Sequence, residues 1–426
     1  MATFKIIGGK PLKGTVTISG RKNAALPILA ASLLTSGKVT IKNLPHIGDV
    51  KIMLKLLQAF GAQVSETDNQ TIIQTKEVLT SVLPDNLAKQ LRGSILFLGP
   101  LVARTGSVNM PHPGGCIIGK RPVGLHFDVL ETLGSKIKVN TDNTYTVTTK
   151  RGLVGKQFFL TEASVTASEN AIMAAVIAHG TTELVNVATE GHVVQTAEFL
   201  QKLGYQISGL GSSILKIEGS AGKLSTKNIE IEIIPDEIEI GTFITAAVVT
   251  QGNITLQNCG DSEINLPIRA IFDRFGVRTI YNKEQQSIII RGPHKLMPTQ
   301  VVTGTWPSVP TDLQPPLALL ATQVNGNTLI HDWMFEGRFA YVASLEKMGA
   351  NILNCDPHRI LITGPTKLTG TSLVSPDLRA GITQLIAALT AKGESMIEHA
   401  ELIDRGYANI VERLQALGAN IERIAD

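Results

Sequence analysis

Aromatic side chains make up only 4% of this 426-residue chain. So few rings leave little surface for stacking on nucleic-acid bases. The formal net charge of +3 is spread along the chain with no basic run, which speaks against nucleic acid or an anionic membrane surface as a partner. The three cysteines, Cys116, Cys259 and Cys355, show neither paired spacing nor a CxxC. That excludes a disulfide framework and a cysteine zinc site, and fits a reducing compartment. The longest apolar runs, at 171–178 and 382–390, fall well short of the ~18 residues a membrane span requires, so no membrane insertion is expected. No charged-then-apolar leader opens the sequence, and a cytoplasmic location is the expectation. Walker A, GxGxxG and HExxH patterns are missing, so no metal and no cofactor are expected.

What the chain does contain is a sixfold repeat. A helix-ending turn recurs as FGAQV at Phe60, LGSKI at Leu133, LGYQI at Leu203, FGVRT at Phe275, MGANI at Met348 and LGANI at Leu417. A second marker, glycine followed by a β-branched strand, runs in step at Gly37, Gly106, Gly180, Gly252, Gly326 and Gly393. Two markers sharing a period of about 70 residues define one structural unit repeated six times. Each unit reads as a strand, an apolar helix stopped by glycine at its C-cap, a strand, a more amphipathic helix, and two further strands. The all-apolar helices belong inside and the amphipathic ones outside. Three such units can close around their own helices, so six give two pseudo-threefold α/β domains, with the cleft between them as the natural ligand site. A continuous solenoid is the alternative, less suited to gathering the scattered cations.

Polar residues recur where a strand meets the N-terminus of an inner helix. They are Arg21, Lys22 and Asn23; Arg92; Ser164 and Thr166; Asp236 and Glu237; Asp312; and Asp377 with Arg379. Exposed amide groups and the helix dipole favour an anion at such an address. Recurrence there points to one functional face, although a solvated charged cap is the ordinary fate of Lys and Arg. Arg338 and Arg405 add cations at a second address. Asp312 has no cation beside it in sequence and reads as a proton acceptor. Asp377, two residues from Arg379, reads equally as a charge neutraliser.

The stretch PHPGGCIIGKRPVGLH, from Pro111 to His126, combines a glycine pair, one thiol and two cations. Gly114 and Gly115 allow a tight loop. Beside Lys120 and Arg121 the Cys116 thiol is a candidate reactive group, while a small apolar residue in a glycine-rich turn is the plainer reading.

RKNAALP at Arg21, LRGSILFLGPLVAR at Leu91, PGGCIIGKRPVGLH at Pro113, PTDLQ at Pro310, FEGRF at Phe335, DLRAG at Asp377 and IDRGY at Ile403 together resemble the enolpyruvyl transferase family. The likeness is to those members that act on UDP-N-acetylglucosamine, and it runs in order along essentially the whole chain. It implies a two-domain inside-out α/β barrel, divided into 22–234, with the Cys116 loop, and 1–21 plus 235–426. It implies transfer of the enolpyruvyl group of phosphoenolpyruvate to the 3′-hydroxyl of UDP-N-acetylglucosamine, opening peptidoglycan synthesis, by a monomer or weak homo-oligomer. Lys22, Arg121 and Arg405 would hold phosphoenolpyruvate, with Arg92 and Arg379 assisting. Asn23 and Asp312 would meet the sugar, Asp312 as the base and Lys22 also as a catalytic group. Cys116 would be the loop thiol that fosfomycin alkylates. Arg92, Arg121, Pro122, Val123, Leu125, Ser164, Val165, Met334 and Phe335 would bind the nucleotide sugar, and Arg338 and Asp377 would complete the shell. The sequence departs from the family pattern at Gly124, Glu162, Thr166, Gly191, His192 and Gln195. A paralogue using another nucleotide sugar, or a non-catalytic nucleotide-sugar sensor, are the alternatives.

Overall fold

The computed structural model describes residues 2–425 apart from 69, 116, 117, 120 and 262–264. The chain divides into two compact units. One comprises residues 1–19, 116–120 and 235–426, and the other 20–115 and 121–234. We call them the terminal and the middle unit.

Among the described residues the strands form six sheets, three in each unit, five of four strands and one of three. The plan repeats. In the terminal unit, Gln300–Val302 runs parallel to Gly326–His331, which pairs antiparallel with Arg359–Gly364, itself antiparallel to Asn351–Asp356. Parallel neighbours need a crossover, and helix Gln314–Ala321 supplies it. Helices Val165–Ala175 and Leu378–Thr390 do the same between their own parallel strands.

The crossover helices are the apolar ones. All thirteen residues of helix Glu237–Val249 and all eight of Gln314–Ala321 are buried. These two and Leu378–Thr390 pack together in the terminal unit. Lys22–Ala31, Leu98–Thr105 and Val165–Ala175 are their counterparts in the middle unit. Helices such as Gly48–Ala59 and Gly191–Lys202 alternate buried and exposed positions, as amphipathic outer helices do.

The helix-ending turn has one cause in all six repeats. Gly61, Gly134, Gly204, Gly276, Gly349 and Gly418 have φ between 78° and 103°, a left-handed conformation in which a Cβ is strained. The second glycine marker is less uniform than the expected C-cap. Gly106 does cap helix Leu98–Thr105 with φ 77°. Gly37 and Gly252 serve close backbone approach instead: a Cβ would stand 2.1 Å from the Lys227 carbonyl oxygen and 2.2 Å from that of Leu12.

Chain ends complete the sheets. Ala2–Ile7 lies between Glu394–Glu398 and Asn420–Ala425, antiparallel to both. Lys13–Thr17 pairs in parallel with Asn253–Gln257, and Ile229–Glu232 with Lys38–Lys42. The chain enters the middle unit at Gly20, two residues earlier than the expected limit at 22. Gly20 packs directly on the Asn43 carbonyl, and Arg21 N–H donates to the Ile234 carbonyl at 2.7 Å. Ile118 lies with the terminal unit, where Gly337 N–H donates to its carbonyl at 3.1 Å.

Phe4 is fully buried in the inserted first strand, and the Arg423 guanidinium sits 4.8 Å from its ring centroid. Phe4→Ala is expected to lower stability by about 3–5 kcal/mol through lost burial and the cavity left behind. Denaturant unfolding measures this, and a loss below about 1 kcal/mol would show that the strand is dispensable to the core.

Candidate active site

In the terminal unit the site is organised around one carboxylate. Asp312 lies in the 3-10 turn Thr311–Leu313, immediately before an inner helix. Arg338 Nη2 donates to its Oδ1 at 2.5 Å, and Arg379 donates to Oδ2 from Nε at 3.1 Å and from Nη2 at 2.8 Å. Both guanidinium groups are buried, whereas the Asp312 side chain keeps 28% of its surface. A buried cation is costly unless paired, so the carboxylate is what makes two buried arginines tolerable. Burial opposes the Arg379 cation, but electrostatic interaction with Asp312, Tyr407 and Asp236 and the hydrogen bond to Asp312 outweigh it and hold its pKa above the ordinary arginine value. Arg338 is fixed further by Nε donating to the Thr311 carbonyl at 3.1 Å.

Buried Asp332 supports the neighbouring turn. It accepts from the Thr311 hydroxyl at 2.5 Å and from Met334 N–H at 3.1 Å. Met334 and Phe335 follow, both half-buried. Arg405 ends the 3-10 segment Ala400–Arg405 and is half-exposed.

Asp377 does something other than neutralise the Arg379 side chain. It is the N-cap of helix Leu378–Thr390, its Oδ1 accepting from the backbone N–H of Arg379 at 2.7 Å and of Ala380 at 3.1 Å. Capping satisfies orphan helix donors, so its effect on Arg379 is to set the start of the helix that carries it. Asp236 caps Glu237–Val249 in the same way.

In the middle unit, Lys22 opens helix Lys22–Ala31 and its Nζ pairs with Asp49 Oδ2 at 2.6 Å. Asn23, the next residue, is half-buried. Arg92 starts the 3-10 helix Arg92–Phe97. Its Nη2 donates to the carbonyl oxygens of Arg121 and, at 3.2 Å, Pro122. Burial and the charge of Arg121 push the Arg92 pKa down to about 10. The glycine pair is explained here. A Cβ on Gly114 would stand 1.6 Å from the Lys89 carbonyl oxygen, and one on Gly115, at φ 117°, would stand 2.9 Å from Arg92 Cβ. Cys116 and Lys120 lie outside the described residues.

Arg121, Pro122 and Val123 lead into helix Gly124–Thr132, which carries Leu125 and His126. Ser164 is the N-cap residue of helix Val165–Ala175, and Val165 its first residue. His126 ties these two helices. Asn170 Nδ2 is 2.9 Å from its Nδ1, and the Thr166 hydroxyl 3.3 Å from its Nε2. An amide NH₂ can only donate, so Nδ1 accepts and the proton sits on Nε2. Burial and the charge of Arg92 push the His126 pKa down to about 3. Sequence alone left His126, Asn170, Asp49, Asp332 and Tyr407 without roles. Two signals were available: a polar residue inside an apolar helix, Asn170, and a place inside a quoted motif, His126 of PGGCIIGKRPVGLH and Tyr407 of IDRGY.

The departures from the family pattern are structurally coherent. A Cβ at Gly124 meets nothing within 4 Å, so glycine there leaves open space. Glu162 is exposed. Gly191 makes room for buried Arg21, whose Nη1 would lie 3.2 Å from a Cβ at 191. That same Nη1 is 3.4 Å from His192 Nδ1. Gln195 donates to the Glu232 carbonyl at 2.8 Å and accepts from Ile234 N–H at 3.3 Å, securing the chain where it leaves the unit.

Sheets packed on buried helices, with arginines and a carboxylate near the helix starts, define an α/β protein with fixed charged groups at the ends of its inner helices. A sequence profile of EPSP synthase (3-phosphoshikimate 1-carboxyvinyltransferase) matches residues 6–414. UDP-N-acetylglucosamine 1-carboxyvinyltransferase of Treponema denticola is 42% identical over 99% of both chains. The protein of the same name from Treponema pallidum is 39% identical over 99% of both. Among solved structures, the enolpyruvyl transferase NikO from Streptomyces tendae superposes with a TM-score of 0.91 at 26% identity, over 100% of this chain and 99% of that one. EPSP synthase from Acinetobacter baumannii, at 19% identity and a TM-score of 0.78 over the whole of both chains, shares the fold. The chain therefore belongs to the EPSP synthase family of carboxyvinyltransferases.

The neutral His126 carries a pH signature. The unfolded chain binds a proton there below about pH 6.5, whereas the folded chain does not until about pH 3. Stability should therefore fall as pH drops through that window. Thermal unfolding between pH 7 and pH 4.5 should show a shallower loss in His126→Gln than in the natural sequence. Identical slopes would mean that His126 is protonated in the fold.

Proposed function

We propose that this protein transfers the enolpyruvyl group of phosphoenolpyruvate to the 3′-hydroxyl of UDP-N-acetylglucosamine and releases phosphate. The observation that carries this reading is full-length identity of 42% and 39% to relatives that bear that activity in their names. The lysine and arginines at the helix starts and in the loops are of the kind this chemistry calls for.

In the proposed reaction the sugar hydroxyl oxygen attacks C2 of phosphoenolpyruvate while C3 gains a proton. The tetrahedral adduct then expels phosphate, and loss of a proton from C3 restores the double bond. Asp312 is assigned the hydroxyl proton. Its side chain keeps 28% of its surface exposed, more than the two arginines it pairs with, so a hydroxyl can approach the carboxylate. Lys22, Arg92, Arg121, Arg379 and Arg405 are assigned to the carboxylate and phosphate. Clamping two anions at one carbon centre calls for several fixed cations. Asn23, Pro122, Val123, Leu125, Ser164, Val165, Met334 and Phe335 are assigned to the nucleotide sugar, and Cys116 to the loop beside phosphoenolpyruvate. Asp377 and Arg338 act indirectly, through the helix start and through Asp312. The two units are read as the two pseudo-threefold domains, 22–234 and 1–21 with 235–426. A cytoplasmic location and a monomeric or weakly homo-oligomeric state belong to the same proposal. No helix among the described residues is long and apolar enough to cross a membrane.

A second reading, another nucleotide sugar as acceptor, is favoured by the replacements at Gly124, Thr166, Gly191 and His192. Phosphate release from phosphoenolpyruvate separates the two. The proposal expects release only when UDP-N-acetylglucosamine is present, with a product heavier by one enolpyruvyl group. No release with that acceptor, and release with another nucleotide sugar, would replace the first reading by the second.

A further inference from the structure

We propose that Tyr407 is a positioning residue for phosphoenolpyruvate binding, acting through Arg379. The inference rests on the assignment of Arg379 to that substrate. Tyr407 closes the IDRGY motif, two residues after the 3-10 segment that ends in Arg405, and only 1% of its surface is exposed. Its phenol oxygen is 3.1 Å from Arg379 Nη1 and 2.9 Å from the Thr242 hydroxyl.

The direction of each hydrogen bond follows from counting protons. Thr242 has one hydroxyl proton, and it is donated to the Ile238 carbonyl at 2.7 Å. In the Thr242–Tyr407 contact the phenol O–H must therefore be the donor. With its own proton spent, the phenol oxygen presents only lone pairs to Arg379 and accepts from Nη1. The guanidinium is thus held on two edges: Nε and Nη2 by Asp312, and Nη1 by Tyr407.

This chain of bonds joins all three inner helices of the terminal unit. Thr242 belongs to Glu237–Val249, Arg379 to Leu378–Thr390, and Asp312 to the turn leading into Gln314–Ala321. An arginine free to sample its rotamers must be ordered when it meets an anion, at a cost in affinity. Tyr407 removes that cost beforehand. With Nε and Nη2 on Asp312 and Nη1 on Tyr407, the guanidinium plane is fixed at both ends.

Tyr407→Phe keeps the ring and deletes the acceptor. The expected result is a KM for phosphoenolpyruvate raised about tenfold, the size of one hydrogen bond to a charged group. In the same variant kcat should stay within about threefold and the KM for UDP-N-acetylglucosamine within about twofold, a split that a merely structural residue would not give. Thr242→Val removes the acceptor for the phenol proton and should raise the same KM less, by about threefold. An unchanged KM for phosphoenolpyruvate in a folded Tyr407→Phe protein overturns the inference. If that variant does not fold, an unchanged KM in Thr242→Val overturns it instead. Should the natural sequence not turn over UDP-N-acetylglucosamine, the proposed function fails separately. Calorimetric binding of phosphoenolpyruvate then decides: weaker binding by Tyr407→Phe supports the positioning role, and equal binding contradicts it.

Discussion

One carboxylate between two buried guanidinium groups is the constraint around which the terminal unit's polar residues are arranged. Burying Arg338 and Arg379 beside each other is costly without Asp312, because like charges in a poorly solvated setting repel. Asp312 cannot satisfy both cations alone, so the remaining donors find fixed acceptors in the Thr311 carbonyl and the Tyr407 phenol. The set as a whole remains positive. It therefore keeps an attraction for anions while each of its members is held in place, which is what pre-organised electrostatic binding requires.

The fold makes this economical. Inner helices that are apolar all round bury their bodies completely, so only their N-terminal ends can carry polar chemistry. Those ends start at turns whose caps, Asp236 and Asp377, are themselves carboxylates bonded to backbone N–H groups. In the middle unit the same address carries Lys22 on Lys22–Ala31, Arg92 just before Leu98–Thr105, and Ser164 at the start of Val165–Ala175. A repeated strand–helix unit thus places comparable side chains at comparable positions without any one repeat having to form a site alone.

Much of this was legible in the sequence because periodicity survives divergence. The six helix-ending glycines sit at positions where backbone geometry leaves few alternatives, and the apolar helices announce their burial by lacking a polar face. Arg338, Arg379 and Asp312 were singled out from their motifs. Their mutual contact was not, since they lie 26 to 67 residues apart. The capping role of Asp377 is not legible in sequence, because a cap and a counter-ion look alike when an arginine stands two residues away. Gly37 and Gly252 look like helix caps in sequence, yet their reason lies in the chain passing at Lys227 and Leu12, a long-range fact. The Asn170–His126 pair stayed hidden for the same reason: a buried histidine acquires its protonation state from neighbours that sequence distance conceals.

The measurement closest to the central claim is made on Asp312→Asn, a variant that keeps shape and one acceptor but removes the charge and the proton-accepting group. Binding of UDP-N-acetylglucosamine and of phosphoenolpyruvate, followed by calorimetry, is compared with the single-turnover rate. Both ligands are expected to bind still, while turnover falls by about 10²–10⁴, the range for loss of a general base. Turnover within tenfold of the natural sequence would contradict it, leaving Asp312 only to pair with its two arginines.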